Sequence, residues 1–238
     1  MRVLILAAGL GTRLRPITDA IPKCLVSVGE KPMLEHWLTK LEKIHERPSE
    51  VFVNLFYKKE LVKDFLANYS TSLSIINIIE DKLLGTGGTF LNLIQKKHDE
   101  DMLVIHCDNF YDDDLNEFLE EALTKLKVFN CDGVILSFRA QAPELCGTLE
   151  IDVNGKVMNF QEKIKSPKSN LANGAVYLFS AQFLEHVSKN NLLLSDIAKE
   201  LLEPNKFDFY TYETSKFFCD IGTNDSLNDA RKYAENNK

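Results

Sequence analysis

Val3-Leu4-Ile5-Leu6-Ala7-Ala8-Gly9-Leu10-Gly11-Thr12-Arg13-Leu14-Arg15-Pro16 is the stretch from which the fold is read. Its apolar half is short, unbroken and closed by glycine, the pattern of a parallel strand buried on both faces. Its second half is a turn in which Gly9 and Gly11 allow a close approach of backbone to ligand, and turn N–H groups form a concave anion site. It is not the dinucleotide fingerprint, because Leu14 stands where the third glycine belongs. Nor is it a P-loop, because no Gly-Lys-Ser/Thr follows. Arg13, Arg15 and Lys23 against Asp19 give a net +2 over eleven residues of a chain whose net charge is −7. On spacing alone two readings stand, a phosphate cradle or a tight strand-to-helix turn carrying solvated arginines.

Outward from this stretch, strands and helices alternate. A helix is expected over Pro32 to Ile44, with Met33, Leu34, Trp37, Leu38, Leu41 and Ile44 on one face and Trp37 in the core. Strands are expected over Val51 to Leu55, Leu73 to Ile79, Met102 to Cys107 and Gly133 to Phe138. Helices are expected over Glu60 to Ala67, after Gly88, and over Leu115 to Lys127. This rhythm implies a parallel sheet covered on both faces. After about residue 140 it changes: Thr148 to Asp152, Asn154-Gly155 and Lys156 to Gln161 read as a hairpin. A strand over Asn173 to Phe179 follows, then helices near Gln182 to Val187 and Ser195 to Leu202. A strand over Phe207 to Tyr212, the run Phe217 to Cys219 and a helix from Asn224 complete the chain. The fold class is α/β, a Rossmann-like mixed, mostly parallel sheet flanked by helices, with a small β-rich annex. One domain over 1–238 is expected, with a nucleotide-binding half to about residue 140 and an acceptor-binding half beyond it.

The 238 residues are 45% apolar and 26% charged, enough for one sizeable core and unlike a disordered chain. An acidic chain without a basic, aromatic-interleaved patch is not expected to bind nucleic acid. No run reaches the length of a membrane span, and Val3 to Ala8 is too short for a signal sequence. The five cysteines form no CxxC or Cys/His spacing, so reduced thiols in a cytoplasmic protein are expected.

The motif Gly9-Leu10-Gly11-Thr12-Arg13-Leu14-Arg15-Pro16, then Thr18 and Pro22-Lys23, resembles the opening of the sugar-1-phosphate nucleotidylyltransferases. The likeness continues in order through Leu84-Gly85-Thr86-Gly87-Gly88, Asp108, Gly147 to Asp152, Glu162-Lys163, Asn173-Gly174 and Asp220-Ile221-Gly222-Thr223. The resemblance implies a nucleoside triphosphate held at Leu6, Ala8, Gly9, Gly11, Thr12, Arg13, Glu80, Gly85 and Gly88. Arg13 would lie on the departing phosphates and Lys23 at the α-phosphate or the nucleophile. Asn109, Gly147, Glu162, Lys163 and Asn173 would hold a small phosphorylated acceptor, with Lys163 nearest its phosphate. Arg13, Lys23 and Lys163 are thus the implied catalytic residues, and Asp108 and Asp220 the implied ligands of Mg²⁺. Two carboxylates suffice, because Mg²⁺ fills its other positions with water and phosphate oxygens.

The chemistry asks for no general base. A phosphate monoester nucleophile, with a second pKa of about 6, is already deprotonated at neutral pH. The difficulty is electrostatic: unit charges about 4 Å apart repel by roughly 1 kcal/mol in water and roughly 4 kcal/mol at an effective dielectric near 20. Clustered cations meet it. Asp112-Asp113-Asp114 reads as a capping and dipole feature, His106 as packing, and Cys24 and Cys219 as small packed thiols.

Three positions depart from the family, one of them Asn173-Gly174-Ala175, which reverses the more usual Ala-Gly order. Cys107 stands where glycine is common before the first metal-binding aspartate, and Asp108-Asn109 is similar to the pair in phosphocholine cytidylyltransferases of the same superfamily. Glu80 takes the position of a base-contacting glutamine; as an acceptor it suits the amino group of cytosine or guanine. The leading expectation is therefore transfer to a sugar 1-phosphate, CTP or GTP being weakly favoured, for capsule or surface polysaccharide. The alternative is cytidylyl transfer to phosphocholine or a phosphoglutamine. A glycosyltransferase using Asp112-x-Asp114 and an inactive nucleotide-sensing subunit come next. A second copy of the chain, in a homodimer, is the one macromolecular partner left open.

Overall fold

The computed structural model describes residues 1–190, 192, 194–204 and 206–237. In chain order the elements are β1 (Arg2–Leu6), α1 (Ile17–Ala20), β2 (Ser27–Val28), β3 (Lys31–Pro32), α2 (Met33–Lys43), β4 (Val51–Leu55), α3 (Lys59–Asn68) and β5 (Ile75–Ile79). Then come α4 (Gly85–Ile94), β6 (Met102–His106), β7 (Asn109–Tyr111), α5 (Leu115–Phe129), β8 (Gly133–Arg139), β9 (Gly147–Ile151) and β10 (Val157–Glu162). The last are β11 (Leu171–Phe179), α6 (Ala181–Lys189), α7 (Ile197–Leu201), β12 (Phe209–Glu213), β13 (Phe218–Asp220) and α8 (Asn224–Asn236). This is the α/β class expected, a mixed sheet with helices against it. Among the described residues no helix is long and apolar enough to cross a membrane.

Two compact units share the chain. The first, here the glycine-turn unit, gathers Val3–Leu83, His106–Leu115 and Lys216–Lys238. In it β1, β4 and β5 run parallel, with Val3 opposite Val51 and Val51 opposite Ile75. Val3, Leu4 and Ile5 are wholly buried, as are Val51 and Val53, so the unbroken apolar runs mark strands covered on both faces. The stripe of α2 buries Met33, Leu34, Trp37, Leu38 and Leu41, and the Trp37 indole N–H donates to the Asn109 carbonyl at 3.0 Å. β13 pairs antiparallel with β7, which sets Asp220 opposite Asn109. Thr223 and Ser226 close a capping box at the start of α8.

The other, here the hairpin unit, gathers Met1–Arg2, Leu84–Ile105 and Asn116–Ser215. β9 and β10 form the expected hairpin, its turn held by the Asp152 carboxylate, which accepts from Asn154 and Lys156 N–H at 2.8 and 2.9 Å. β11 runs antiparallel to both β6 and β8, and β12 is parallel to β8. β8, read from the alternation as a fifth parallel strand, thus has β12 as its parallel neighbour and is separated from β6 by an antiparallel strand. The core here is aromatic: Phe179 lies 5.1 Å from Phe183, 5.3 Å from Phe90 and 5.8 Å from Phe209 between ring centroids. The helix expected after Gly88 starts at Gly85, so the glycine run is its first turn rather than its lead-in.

Candidate active site

In the glycine-turn unit, three stretches far apart in sequence meet at Lys23. Pro22 enters a 3-10 turn over Lys23–Leu25 that leaves Lys23 only 8% exposed. Its ammonium donates to Asp108 Oδ2 at 2.5 Å and lies 3.5 Å from Asp220 Oδ1. The backbone explains the convergence. Asp108 lies in the turn between β6 and β7, the Ile221 N–H donates to the Asp108 carbonyl at 2.9 Å, and β13 carries Asp220 to β7.

Burial disfavours the Lys23 ammonium, but the two carboxylates outweigh it and raise its pKa above the usual lysine value. Burial pushes the Asp108 carboxyl up, while Lys23 and then His106 pull it down further, so that it falls below the usual range. Burial and the charge of Asp108 hold Asp220 above that range, against the pull of Lys23 and Arg13. The two carboxylates thus face two cations, the Lys23 ammonium between them and the Arg13 guanidinium on the Asp220 side.

The glycine turn supports this cluster. Gly11 sits at φ +64°, and a Cβ there would lie 2.8 Å from Thr18 Cγ2 and 3.2 Å from Lys23 Cβ. The Thr18 hydroxyl donates to the Gly11 carbonyl at 2.7 Å, and the Tyr57 hydroxyl to the Thr18 carbonyl at 2.9 Å. At Gly9 a Cβ would meet nothing within 4 Å, so packing alone does not call for glycine there. Thr12 and Arg13 are exposed. A Cβ on Gly222 would fall 2.8 Å from Arg13 Nη2 and 2.9 Å from Asp220 Oδ1, so a glycine lets guanidinium and carboxylate approach one another.

At the ends of the parallel strands, Ala7 N–H donates to Asn54 Oδ1 at 2.6 Å, and Asn54 Nδ2 donates to Glu80 Oε1 at 2.9 Å. Leu6 and Ala8 flank the first of these contacts, and Asn109 is buried on β7. Asn54 was not singled out in the sequence, although it is the one polar residue of Val51-Phe52-Val53-Asn54-Leu55.

The Cys24 thiol, next to Lys23, is pushed up to about 12 by burial, and burial carries Cys107 well above the usual value. Neither is a thiolate nucleophile. The Asp113 carboxylate accepts from the Asp114 N–H at 2.8 Å and from the Tyr111 hydroxyl at 3.2 Å, a turn feature ahead of α5. A cavity of about 350 Å³ in this unit is lined by Lys31, His36, Thr39, Lys40, Lys43, Asp113, Asp114 and Leu115, none of them a residue of the cluster.

The hairpin unit holds the remaining candidates. A Cβ on Gly85, at φ +76°, would stand 2.3 Å from the Ser195 carbonyl oxygen, and one on Gly87 would strike Leu194 at 2.7 Å. The first turn of α4 thus packs against the segment around Ser195, with Thr86 Oγ1 accepting from Ile197 N–H at 3.0 Å. Gly88 is less crowded, its nearest neighbour being Leu84 Cβ at 3.0 Å. A Cβ on Gly147 would lie 2.7 Å from Glu162 Oε2, and Lys163 Nζ is 3.4 Å from Glu162 Oε1. Lys163 has φ +51° and a half-exposed side chain. Asn173 holds a bulge in β11: its Nδ2 donates to the Tyr177 hydroxyl and its Oδ1 accepts from Ala175 N–H, both at 2.8 Å, with Ala175 at φ +51°.

A glycine turn leading from a parallel strand to paired carboxylates, an ammonium and a guanidinium is an arrangement of the α/β class whose turn N–H groups and cations suit phosphate. The family model described as Nucleotidyl transferase matches residues 2–237, and the chain belongs to that family. It is 30% identical over 241 residues to the bifunctional protein GlmU of Methanocaldococcus jannaschii, covering 98% of this chain and 54% of that protein. The chain therefore spans about half the length of that curated relative. It is 28% identical to the D-glycero-alpha-D-manno-heptose 1-phosphate guanylyltransferase of Aneurinibacillus thermoaerophilus, covering 98% of this chain and 97% of that one. HddC of Yersinia pseudotuberculosis complexed with GMP-PN is a similar solved structure, with TM-score 0.79, 25% identity and 98% of each chain covered.

Proposed function

We propose that this chain transfers a nucleotidyl group from a nucleoside triphosphate to a sugar 1-phosphate and releases pyrophosphate. An acceptor phosphate oxygen forms a bond to the α-phosphorus, and the bond from that phosphorus to the bridging oxygen breaks. The electron pair leaves on pyrophosphate, and no proton has to be removed from the nucleophile. The observation that carries the reading is the approach of Lys23 to both Asp108 and Asp220.

Backbone N–H groups around Gly9, Gly11 and Thr12 bind the triphosphate. Arg13 stabilises the departing β,γ-phosphates, and Lys23 orients the α-phosphate. Two hard carboxylates already within reach of one cation fit Mg²⁺, so Asp108 and Asp220 would hold it. When bound, the ion supplies charge neutralisation at the phosphate oxygens. Gly88 leaves the backbone open beside base and ribose. Lys163, Glu162, Gly147, Asn109 and Asn173 bind the acceptor, with Lys163 on its phosphate.

GTP is the nucleotide favoured, with CTP next. The acceptor-only carboxylate of Glu80 suits the amino-bearing edges of both bases, and the guanylyltransferase relative and the GMP-PN complex support guanine. The heptose 1-phosphate relative supports a sugar acceptor, and surface polysaccharide or capsule is the use we assign to the product. Cytidylyl transfer to a non-sugar phosphate such as phosphocholine is the second reading, favoured by Asp108-Asn109. Pyrophosphate release from GTP and CTP, each offered mannose 1-phosphate, glucose 1-phosphate and phosphocholine, separates the two. Release with GTP and a sugar phosphate is expected; release confined to CTP and phosphocholine would reverse the order.

A further inference from the structure

Gly11 takes φ +64°, and a glycine so placed lets the peptide that joins it to Thr12 turn over at little steric cost. The carbonyl and the N–H of one trans peptide point in opposite directions, so whatever holds the Gly11 carbonyl also aims the Thr12 N–H. That carbonyl is held twice. The Leu14 N–H donates to it at 2.9 Å within a single 3-10 turn, a weak constraint by itself. The Thr18 hydroxyl donates to it at 2.7 Å from the interior, Thr18 being only 1% exposed. The Thr18 methyl packs on the same glycine, since a Cβ there would lie 2.8 Å from Thr18 Cγ2. The Thr12 N–H is thereby turned away from Thr18, and Thr12 is exposed.

Thr18 in turn needs support. It lies on α1, a helix of four residues with no side-chain cap at its start and too short to hold itself. Its carbonyl is among the last four of that helix, which have no partner inside it. The Tyr57 hydroxyl, two residues beyond β4, donates to this carbonyl at 2.9 Å. A line of contacts thus runs from the end of a buried parallel strand through Tyr57 and Thr18 to the glycine turn.

We infer that Thr18 and, through it, Tyr57 are positioning residues: they hold the Gly11–Thr12 peptide so that its N–H faces the triphosphate. The inference rests on the reading that this turn binds the phosphates of a nucleotide. An N–H aimed before the ligand arrives does not have to be ordered on binding, and its bond to a charged oxygen is among the stronger hydrogen bonds. The hydroxyl of Thr18 serves this role, and the methyl serves packing.

The test is binding of GTP, CTP, UTP, dTTP and ATP, each with Mg²⁺, to the full chain by calorimetry, with thermal unfolding followed in the nucleotide-free protein. The triphosphate that wild type binds most tightly is then offered to Thr18→Val, Thr18→Ser and Tyr57→Phe. Thr18→Val keeps the methyl and loses the donor, whereas Thr18→Ser keeps the donor and loses the methyl. Each gives up one contact with Gly11, so both are expected to lower the unfolding midpoint by a similar amount, about 2–4 °C. Thr18→Val is expected to weaken the triphosphate by about 10-fold or more, and Thr18→Ser to stay within about 3-fold of wild type. Tyr57→Phe is expected to weaken it by about 3-fold or more. A residue that only supports the fold would weaken binding alike in Thr18→Val and Thr18→Ser.

Wild-type affinity in Thr18→Val, or an equal loss in Thr18→Val and Thr18→Ser, overturns the inference and spares the reading of the turn. A wild-type protein that binds none of the triphosphates overturns both. Should Thr18→Val fail to fold, Tyr57→Phe decides: the expected loss supports the inference, and wild-type affinity overturns it.

Discussion

Lys23 is the residue at which charge in the site balances. Its ammonium is shared between Asp108 and Asp220, and Asp220 is held above the usual carboxylate range by burial and by its neighbour's charge. The Arg13 guanidinium acts on the same Asp220 carboxylate. Asp108→Asn and Asp220→Asn are each expected to cut Mg²⁺-dependent pyrophosphate release by about 100-fold or more while the unfolding transition stays cooperative. Near-normal turnover in either variant would remove that aspartate from the metal site. The two glycines of the turn separate structural from functional demand. Gly9→Ala adds a methyl group in open space and is expected to leave stability within about 0.5 kcal/mol, yet to lower pyrophosphate release. Gly11→Ala meets Thr18 and Lys23 at positive φ, and is expected to cost about 1–2 kcal/mol in urea unfolding. Equal stability losses in the two variants would contradict this division.

At the scale of elements, the close packing of α4 on the segment around Ser195 makes Gly85 a stability residue. Gly85→Ala puts a methyl group 2.3 Å from a backbone oxygen at φ +76°, and is expected to lower stability by roughly 2–4 kcal/mol in denaturant unfolding. A loss below about 0.5 kcal/mol would show that the turn yields easily. The same contact marks a limit of reading from sequence. That Gly85 belongs to a glycine-rich segment is legible, but its partner Ser195 is more than a hundred residues away and carries no local signal. The runs Val3 to Leu6 and Val51 to Leu55 are legible as strands because burial on both faces leaves an unbroken apolar pattern. β7 and β13 are not, because strands of three residues have no period, although it is their pairing that carries Asp220 to Asp108. Alternation with helices also leads β8 to be read as parallel, since sequence order does not reveal that β11 returns antiparallel between β6 and β8. Asn173 was legible as a motif residue, whereas its part in a β11 bulge depends on Tyr177 and Ala175 in three dimensions.

For the whole molecule, the proposed function gives two groups of residues two substrates, the nucleotide and the acceptor. Lys163→Ala tests the second. It is expected to raise the acceptor KM by about 10-fold or more with little change in the KM for nucleotide, because it removes a charged hydrogen bond to one substrate only. Unchanged acceptor kinetics would take Lys163 out of the site. The central claim, that paired aspartates and clustered cations allow one phosphate to attack another, is met most directly by pyrophosphate release. The assay pairs GTP, CTP, UTP, dTTP and ATP with a panel of sugar 1-phosphates and phosphocholine, with Mg²⁺ and with excess chelator. Release is expected to require a triphosphate, an acceptor phosphate and Mg²⁺ together and to be lost in Asp108→Asn. Release that persists in chelator, or in Asp108→Asn at the wild-type rate, would contradict that claim.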